Sequence, residues 1–374
     1  MKKVFQYKAK INKTTEATAV RWLDLCCDLY NTCLEQRIDI WKRYKKHTHW
    51  VNQVNELPNL KKELIEYKEV GSQVLVDAVR RVDRAFQNFF RRVKSGSKAP
   101  GYPRFKGKNK YDSFTLGIKA GWSLKGKYLT INKVGVFKLF LSRPIEGNIK
   151  TVTIRRKRSG DWFVCFCCDN VKERDFPPTA LAVGVDVGIK VFLAKSNGEV
   201  VENPKFLRKA EVKLCKQQQR LSRRSKGSVR QAKARKQVAK TYEKVSNQRK
   251  DFINKLVLKL VSHYQFICVE KLKISNLMRN KSLSKSIADA SWGIFLNRLA
   301  VAAEEAKRQV IKVNPTNTSQ MCLCGEIVQK NLSVRVHQCP ACGLTMDRDI
   351  LAAKNILKLG QSFQASSSSF EVFA

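Results

Sequence analysis

The sequence predicts a multidomain chain that is α+β in its first half and α/β in its second. Three observations carry this. The 374 residues exceed one domain at about 100–200 residues each. In the first half a short strand precedes two amphipathic helical stripes, and five β-branched or aromatic segments follow, as in a small antiparallel barrel. In the second half strand-like runs alternate with helical patterns, which marks an α/β layer.

In chain order, FQYKA reads as the opening strand. Trp22, Cys26, Leu29 and Cys33 recur at helical spacing, so both thiols are expected in a core. A second stripe runs through Leu75, Val79, Val82, Phe86, Phe89 and Val93, with Arg80, Arg81, Arg84, Arg91 and Arg92 crowding the same segment. The Gly-, Pro- and Lys-rich run SGSKAPGYPRFKGKNK ends the helices in a basic loop. There Tyr102, Arg104, Phe105 and Lys106 interleave rings and cations as single-strand stacking platforms do, with core packing of the rings an equal alternative. SFTLGI, YLTINKV, VFKLFL, IKTVTIRRK and DWFVCFCC are the expected strands, and Pro177 and Pro178 break the pattern at a domain boundary.

Beyond it, LAVGVDVGI, VFLAKS and EVVEN read as strands, with Asn197-Gly198 as a hairpin turn. Residues 205–250 hold 17 Lys or Arg against Glu211 and Glu243 alone, in a Gln/Ala/Lys-rich stretch suited to long helices. Two acids cannot supply the i,i+4 pairs of a solvated helix, so this surface is expected to face phosphates. Arg220, Arg223, Arg224, Lys226 and Arg230, with Arg80, Arg81, Arg84 and Arg104 from the first half, are the candidate nucleic-acid contacts. A helix over 251–262, the strand QFICVE ending at Glu270, a helix over 291–308 and the strand QVIKV complete the layer; the Ser-rich end QSFQASSSSFEVFA is expected to fray.

The charge, 73 Lys plus Arg against 31 Asp plus Glu, is +42 in a chain that is 43% hydrophobic. A packed fold with a cationic surface needs a polyanionic partner, and a disordered basic tail is excluded. No apolar run reaches the roughly 18 residues of a membrane span, and MKKVFQYKAKINK lacks a signal-peptide core. A cytoplasmic, nucleoid-associated protein without a membrane partner is therefore expected. Twelve cysteines in such a chain point to free thiols or metal ligands, not disulfides.

Two groups of residues carry chemistry. Cys339-Pro-Ala-Cys342-Gly343 has the spacing of a zinc knuckle, while its partner Cys322-Leu-Cys324 is one residue short, leaving room for His337 as a substitute ligand. Structural zinc is the expectation and a metal-free cysteine loop the alternative. Asp186 interrupts an apolar strand, Glu270 ends another, and Asp347 and Asp349 precede the helical LAAKNILKLG. Gathered together without a His partner, such carboxylates suit Mg²⁺ or Mn²⁺ and two-metal phosphodiester hydrolysis.

These motifs, in this order, resemble the transposon-encoded TnpB family, relatives of the type V CRISPR effectors. The resemblance runs from FQYKA through DRAFQNFF, GYPRFK, GVDVGIK, VSNQRKDF, VEKL, ADASWGIF, NTSQMC and CPACGLTMDRD to AAKNIL. It implies a wedge-like β-barrel domain (1–14 and 96–178) interrupted by a helical recognition domain (15–95). An RNase H-like (RuvC) nuclease domain (179–315 and 347–360) then carries a zinc-ribbon target-nucleic-acid-binding insert (316–346), and 361–374 form a disordered tail. Carried over by position, the catalytic, Mg²⁺-binding carboxylates are Asp186, Glu270 and Asp349, with Asp347 as the fallback for the third. The implied activity is RNA-guided DNA cleavage: one protein per guide RNA (omega RNA) pairs it with double-stranded target DNA beside a short flanking motif, and one site cuts both strands. A cleavage-deficient RNA-guided DNA-binding regulator is the alternative, and a guide-free nuclease a third. Departures from the family pattern are the C-L-C half-knuckle, Leu351 in place of Asn, and Lys307 in place of Gly.

Overall fold

A computed structural model of the protein describes residues 1–368 except 98, 119 and 332, with side chains to residue 362. The chain divides between Lys172 and Glu173 into two units, each with its own core.

In the first unit, β1 (Lys3–Lys10) buries Phe5, Tyr7 and Ala9 and exposes the residues between them. Four helices follow: α1 (Lys13–Tyr44), α2 (Trp50–Asn55), α3 (Leu57–Glu63) and α4 (Ser72–Lys94). Asn12 caps α1 by accepting the Thr15 N–H at 2.7 Å, and Lys45 closes it in the left-handed region. Then come β2 (Ser113–Leu116), β3 (Trp122–Lys125), β4 (Tyr128–Ile131), β5 (Gly135–Phe140), β6 (Asn148–Arg156) and β7 (Trp162–Asp169). The antiparallel sheet runs β2-β6-β7-β1-β5-β4-β3, so β1 lies at its centre between β7 and β5.

The expected barrel is a half-barrel, because the edge strands β2 and β3 do not pair. Helices cover the sheet face instead: Trp22 of α1 packs on Phe114 of β2 with ring centroids 5.5 Å apart, and Val74, Leu75, Ala78, Val79 and Val82 of α4 join the same core. Residues 15–95 thus share one core with the sheet. Sequence reasoning missed β3, a short strand of half-buried and exposed residues whose support comes from its antiparallel partner β4.

The second unit is built on a mixed sheet. β8 (Ala182–Val187), β9 (Val191–Lys195) and β10 (Val200–Glu202) form an antiparallel meander. Gly198 makes the β9–β10 turn at φ +91°. α5 (Phe206–Ser222) and α6 (Val229–His263) lead to β11 (Phe266–Glu270), then α7 (Ile274–Leu277), α8 (Ser284–Ala290) and α9 (Trp292–Glu305) lead to β12 (Gln309–Val313). The order is β10-β9-β8-β11-β12, with β11 parallel to both β8 and β12. A two-stranded ribbon, β13 (Val336–Gln338) and β14 (Thr345–Asp347), precedes α10 (Arg348–Ser368).

The separate helix expected over 251–262 is the second half of α6, since no Gly or Pro interrupts the run from Val229. The end expected to fray from 361 stays helical through Ser368: QSFQA contains no helix breaker, so the helix begun at Arg348 propagates. Residues 369–374 lie outside the described residues. Among the described residues no helix is long and apolar enough to cross a membrane.

Candidate active site and cysteine cluster

Asp186 sits one residue before the end of β8, and Glu270 ends β11. Val269 is in register with Val185 in this parallel pair, so the next residues, Glu270 and Asp186, emerge side by side. The two candidates for a third carboxylate lie at the end of β14 and in the first turn of α10, and they differ in what they contact. Asp347 caps the helix, its Oδ1 accepting the N–H groups of Asp349 at 2.8 Å and Ile350 at 3.2 Å. Asp349 is the one whose charge reaches Asp186.

Burial, then the charges of Glu270 and Asp349, push the Asp186 carboxyl well above the ordinary carboxylate range; Arg348 and the Val187 N–H oppose the shift only in part. Burial also raises Glu270, against a hydrogen bond of 2.5 Å donated by Thr318 Oγ1 to its Oε1. Asp349 has guanidinium neighbours in Arg335 at 3.8 Å and Arg348 at 3.5 Å. Three acids offering only oxygen, two of them held above the ordinary carboxylate range by burial, form a site that a hard divalent cation would stabilise.

Two glycines and one asparagine seat α10 against the sheet. A Cβ on Gly184 of β8 would lie 1.9 Å from the Ala353 carbonyl oxygen, and one on Gly360 would lie 2.1 Å from Cys268 Sγ of β11. The helix therefore approaches the two carboxylate-bearing strands at backbone distance. Asn355 is buried and donates through Nδ2 to the carbonyls of Thr318 at 2.8 Å and Met321 at 2.7 Å. Since Thr318 also holds Glu270, one chain of bonds joins α10, the first knuckle and the acids. Sequence reasoning missed Thr318, Asn355, Gly184 and Gly360; a buried polar residue within the apolar face of LAAKNILKLG was the available signal for Asn355. Leu351, where the family has Asn, is fully buried.

The four cysteines do gather. Their Sγ atoms all lie within 4.8 Å of one another, with Cys322–Cys342 at 3.6 Å and Cys324–Cys339 at 3.7 Å. The short C-L-C half is accommodated by a tighter turn. Gly325 N–H bonds Cys322 O three residues back, while Gly343 N–H bonds Cys339 O four back, and both glycines take positive φ, +101° and +72°. His337 stands apart from the four sulfurs, with Nδ1 at 2.5 Å from Lys330 Nζ. The Cys342 backbone N–H pulls the Cys339 thiol down to about 7, toward the thiolate a metal requires. Among the described residues this is the one group whose ligating atoms crowd so closely; the carboxylates are set wider apart.

The candidate nucleic-acid contacts sort by exposure. Arg104, Arg220, Arg223, Arg224, Lys226 and Arg230 are exposed, and Arg220 lines a groove of about 390 Å³ on α5 with Lys209, Lys213 and Lys216. Arg80 is exposed over the Trp50 ring, and Arg84 pairs with Asp77 at 2.8 Å. Arg81 differs in being half-buried. Its guanidinium is spent on Asp77 at 2.8 Å, the Ser113 carbonyl at 2.7 Å and the Tyr111 ring, because helix spacing turns it toward β2.

Residues 165–281 match the family described as "Probable transposase", and residues 292–356 match the "Cas12f1-like, TNB domain". The chain is 32% identical over 373 residues to a "Putative RNA-guided DNA endonuclease" of Streptomyces pristinaespiralis, covering 98% of this chain and 91% of that one. It is 26% identical over 380 residues to "Putative RNA-guided DNA endonuclease InsQ" of Escherichia coli K12, covering 96% and 93%. The fold also resembles that of a chain in a solved Cas12f1–sgRNA–target DNA complex, at 15% identity and TM-score 0.57 over 92% of this chain and 83% of that one. A half-barrel, a mixed sheet and a four-cysteine cluster thus define a mixed α+β chain of Cas12f-like fold. By its full-length identity to the Streptomyces relative, the chain belongs to the TnpB family.

Proposed function

We propose that this protein is an RNA-guided DNA endonuclease of a transposable element, cutting both target strands with a single carboxylate site. The observation that carries the reading is the convergence of Asp186, Glu270 and Asp349 from two parallel strand ends and a helix start, within a chain of net charge +42. A central first strand flanked by an antiparallel hairpin and two parallel strands supports an RNase H-like (RuvC) nuclease domain over 179–315 and 347–360. By the same family reading, 316–346 form a zinc-ribbon insert that engages target nucleic acid. Residues 1–14 and 96–178 form the wedge-like domain, and 15–95 the recognition helices.

The acids Asp186, Glu270 and Asp349 would hold Mg²⁺ or Mn²⁺, which when bound supplies positive charge at the scissile phosphate and lowers the pKa of attacking water. The protein's own residues set the geometry. β8 and β11 fix two carboxylates in register, Asp347 caps α10 so that Asp349 faces them, and Thr318 orients Glu270. Exposed cations on α5 and the α5–α6 loop would neutralise phosphates of guide RNA and target DNA, while base pairing reads the sequence. The cleavage-deficient alternative leaves three converging carboxylates without a purpose. Sequencing the RNA that co-purifies with the protein, then programming it against a plasmid bearing the matching target, tests the reading. Metal-dependent cuts are expected from the native protein and none from Asp186→Ala or Glu270→Ala, with target binding kept in both. Native-like cutting by either variant would remove that residue from the site.

Zn²⁺ at Cys322, Cys324, Cys339 and Cys342 is proposed to be structural, because four protein ligands leave no open position for chemistry. Chelation or Cys339→Ser should lower Tm and target engagement together, without rescue by Mg²⁺. Elemental analysis finding active protein free of zinc would end this assignment.

A further inference from the structure

In the first unit a chain of aromatic rings reaches the surface. Trp41 near the end of α1 stacks on His47 at 4.7 Å between centroids, and His47 meets the edge of Phe90 at 6.2 Å. Phe90 of α4 contacts Phe89 at 5.2 Å, and Phe89 contacts Tyr102 at 5.2 Å. Phe86 braces the group from beneath, 5.6 Å from Tyr102 and 6.3 Å from Phe90. Three of these rings remain open to solvent, with Trp41 44%, Phe90 49% and Tyr102 46% exposed. Fold stability alone gives no reason to leave three large rings half in water on one face.

The surrounding charge identifies the occupant. Segments 40–55 and 84–111, which carry the rings, contain four and nine Lys or Arg and no acidic residue at all. A second copy of the chain docking here would set these cations against one another, and the loss from like charges would offset the apolar gain. A polynucleotide brings the opposite charge together with flat rings of its own. Paired bases in a duplex already stack on their neighbours, so the free faces this surface can cover are those of an unpaired strand.

We infer that Trp41, Phe90 and Tyr102 form a stacking surface for unpaired bases of single-stranded nucleic acid, with Arg91 and its neighbours holding the phosphates. This extends the nucleic-acid reading of the chain but does not depend on nuclease activity. Strand binding through the rings without cutting would sink the endonuclease reading alone.

The test uses the full chain stripped of co-purifying nucleic acid and titrated with short oligo(dT), oligo(U) and a blunt duplex of mixed sequence. Trp41→Ala, Phe90→Ala and Tyr102→Ala should each weaken single-strand binding about 5- to 100-fold. The slope of log K against log salt should stay as in the native protein, and duplex affinity should hold. Phe90→Tyr and Tyr102→Phe keep a stacking face and should restore binding, which separates stacking from local unfolding. Arg91→Gln should do the converse, shallowing the salt slope by up to about 0.7 on single strands. The arm that loses more, oligo(dT) or oligo(U), distinguishes a displaced DNA strand from guide RNA as the source. Unchanged strand binding in the alanine variants, an equal loss on duplex, or conversion of a dimer to a monomer by them would each overturn the proposal.

Discussion

Asp186 is held toward its protonated form by burial and by two neighbouring carboxylates. Folding raises its pKa, so stability present at low pH is lost as pH climbs through the raised value. Asp186→Asn, which mimics the neutral acid, should therefore raise Tm of the metal-free protein in EDTA. The gain should widen from mildly acidic to alkaline pH while cleavage falls to background; a calorimetric pH series checks it. Thr318→Val removes the donor that opposes the rise in Glu270, so the acid limb of the cleavage profile should move to higher pH, and an unmoved limb would deny Thr318 that role. The acids themselves were legible because a carboxylate inside GVDVG or ending QFICVE interrupts an apolar pattern. Choosing between Asp347 and Asp349 was not, since both lie at the start of the same helical run and the capping role of Asp347 emerges only in the fold. The partners of Arg81 were hidden for a related reason: a run of arginines on a helix does not say which one the next strand will claim.

Among the elements, α10 does the most to define the site, and its seat depends on the absence of a side chain at Gly184. Gly184→Ala would drive a methyl into the Ala353 carbonyl and should cost about 1–3 kcal/mol, with cleavage reduced further than the stability loss alone accounts for. Gly293, in the first turn of α9, meets nothing within 4 Å of an added Cβ, so Gly293→Ala should instead stabilise by about 0.5–1 kcal/mol. Denaturant melts of the two variants compare a packing glycine with a spare one. Helix and strand identities could be read from periodicity, whereas their ends could not. α6 runs through the point where a break was expected, and α10 continues into the serines. β3 shows the opposite limit, a strand that exists because β4 is beside it.

For the molecule as a whole, charge is the dominant statement. With 17 Lys or Arg and two acids over 205–250, exposed Arg223, Arg224 and Lys226 are proposed to contact phosphates. Replacing all three with Gln should shallow the salt dependence of guide RNA binding by up to about three, at roughly 0.9 per duplex phosphate contact. Affinity should fall alike for unrelated sequences, and an unchanged slope would return these residues to plain solvent exposure. The two-part plan and the α/β second half were visible in the order of apolar runs. The open half-barrel was not, because whether edge strands meet depends on what covers the sheet between them.

The central place of β1 has a consequence for how the chain is made. Its hydrogen-bonding partner β7 follows by about 160 residues, which at roughly 5–20 residues per second is a delay of about 8–30 s during translation. Over most of that interval the central strand of the half-barrel is an orphan, since its other partner β5 also lies more than a hundred residues downstream. Lys8 and Lys10 on its outward face are placed to keep nascent copies on neighbouring ribosomes from zipping together. Synthesis itself, more than the finished fold, is what these two lysines protect.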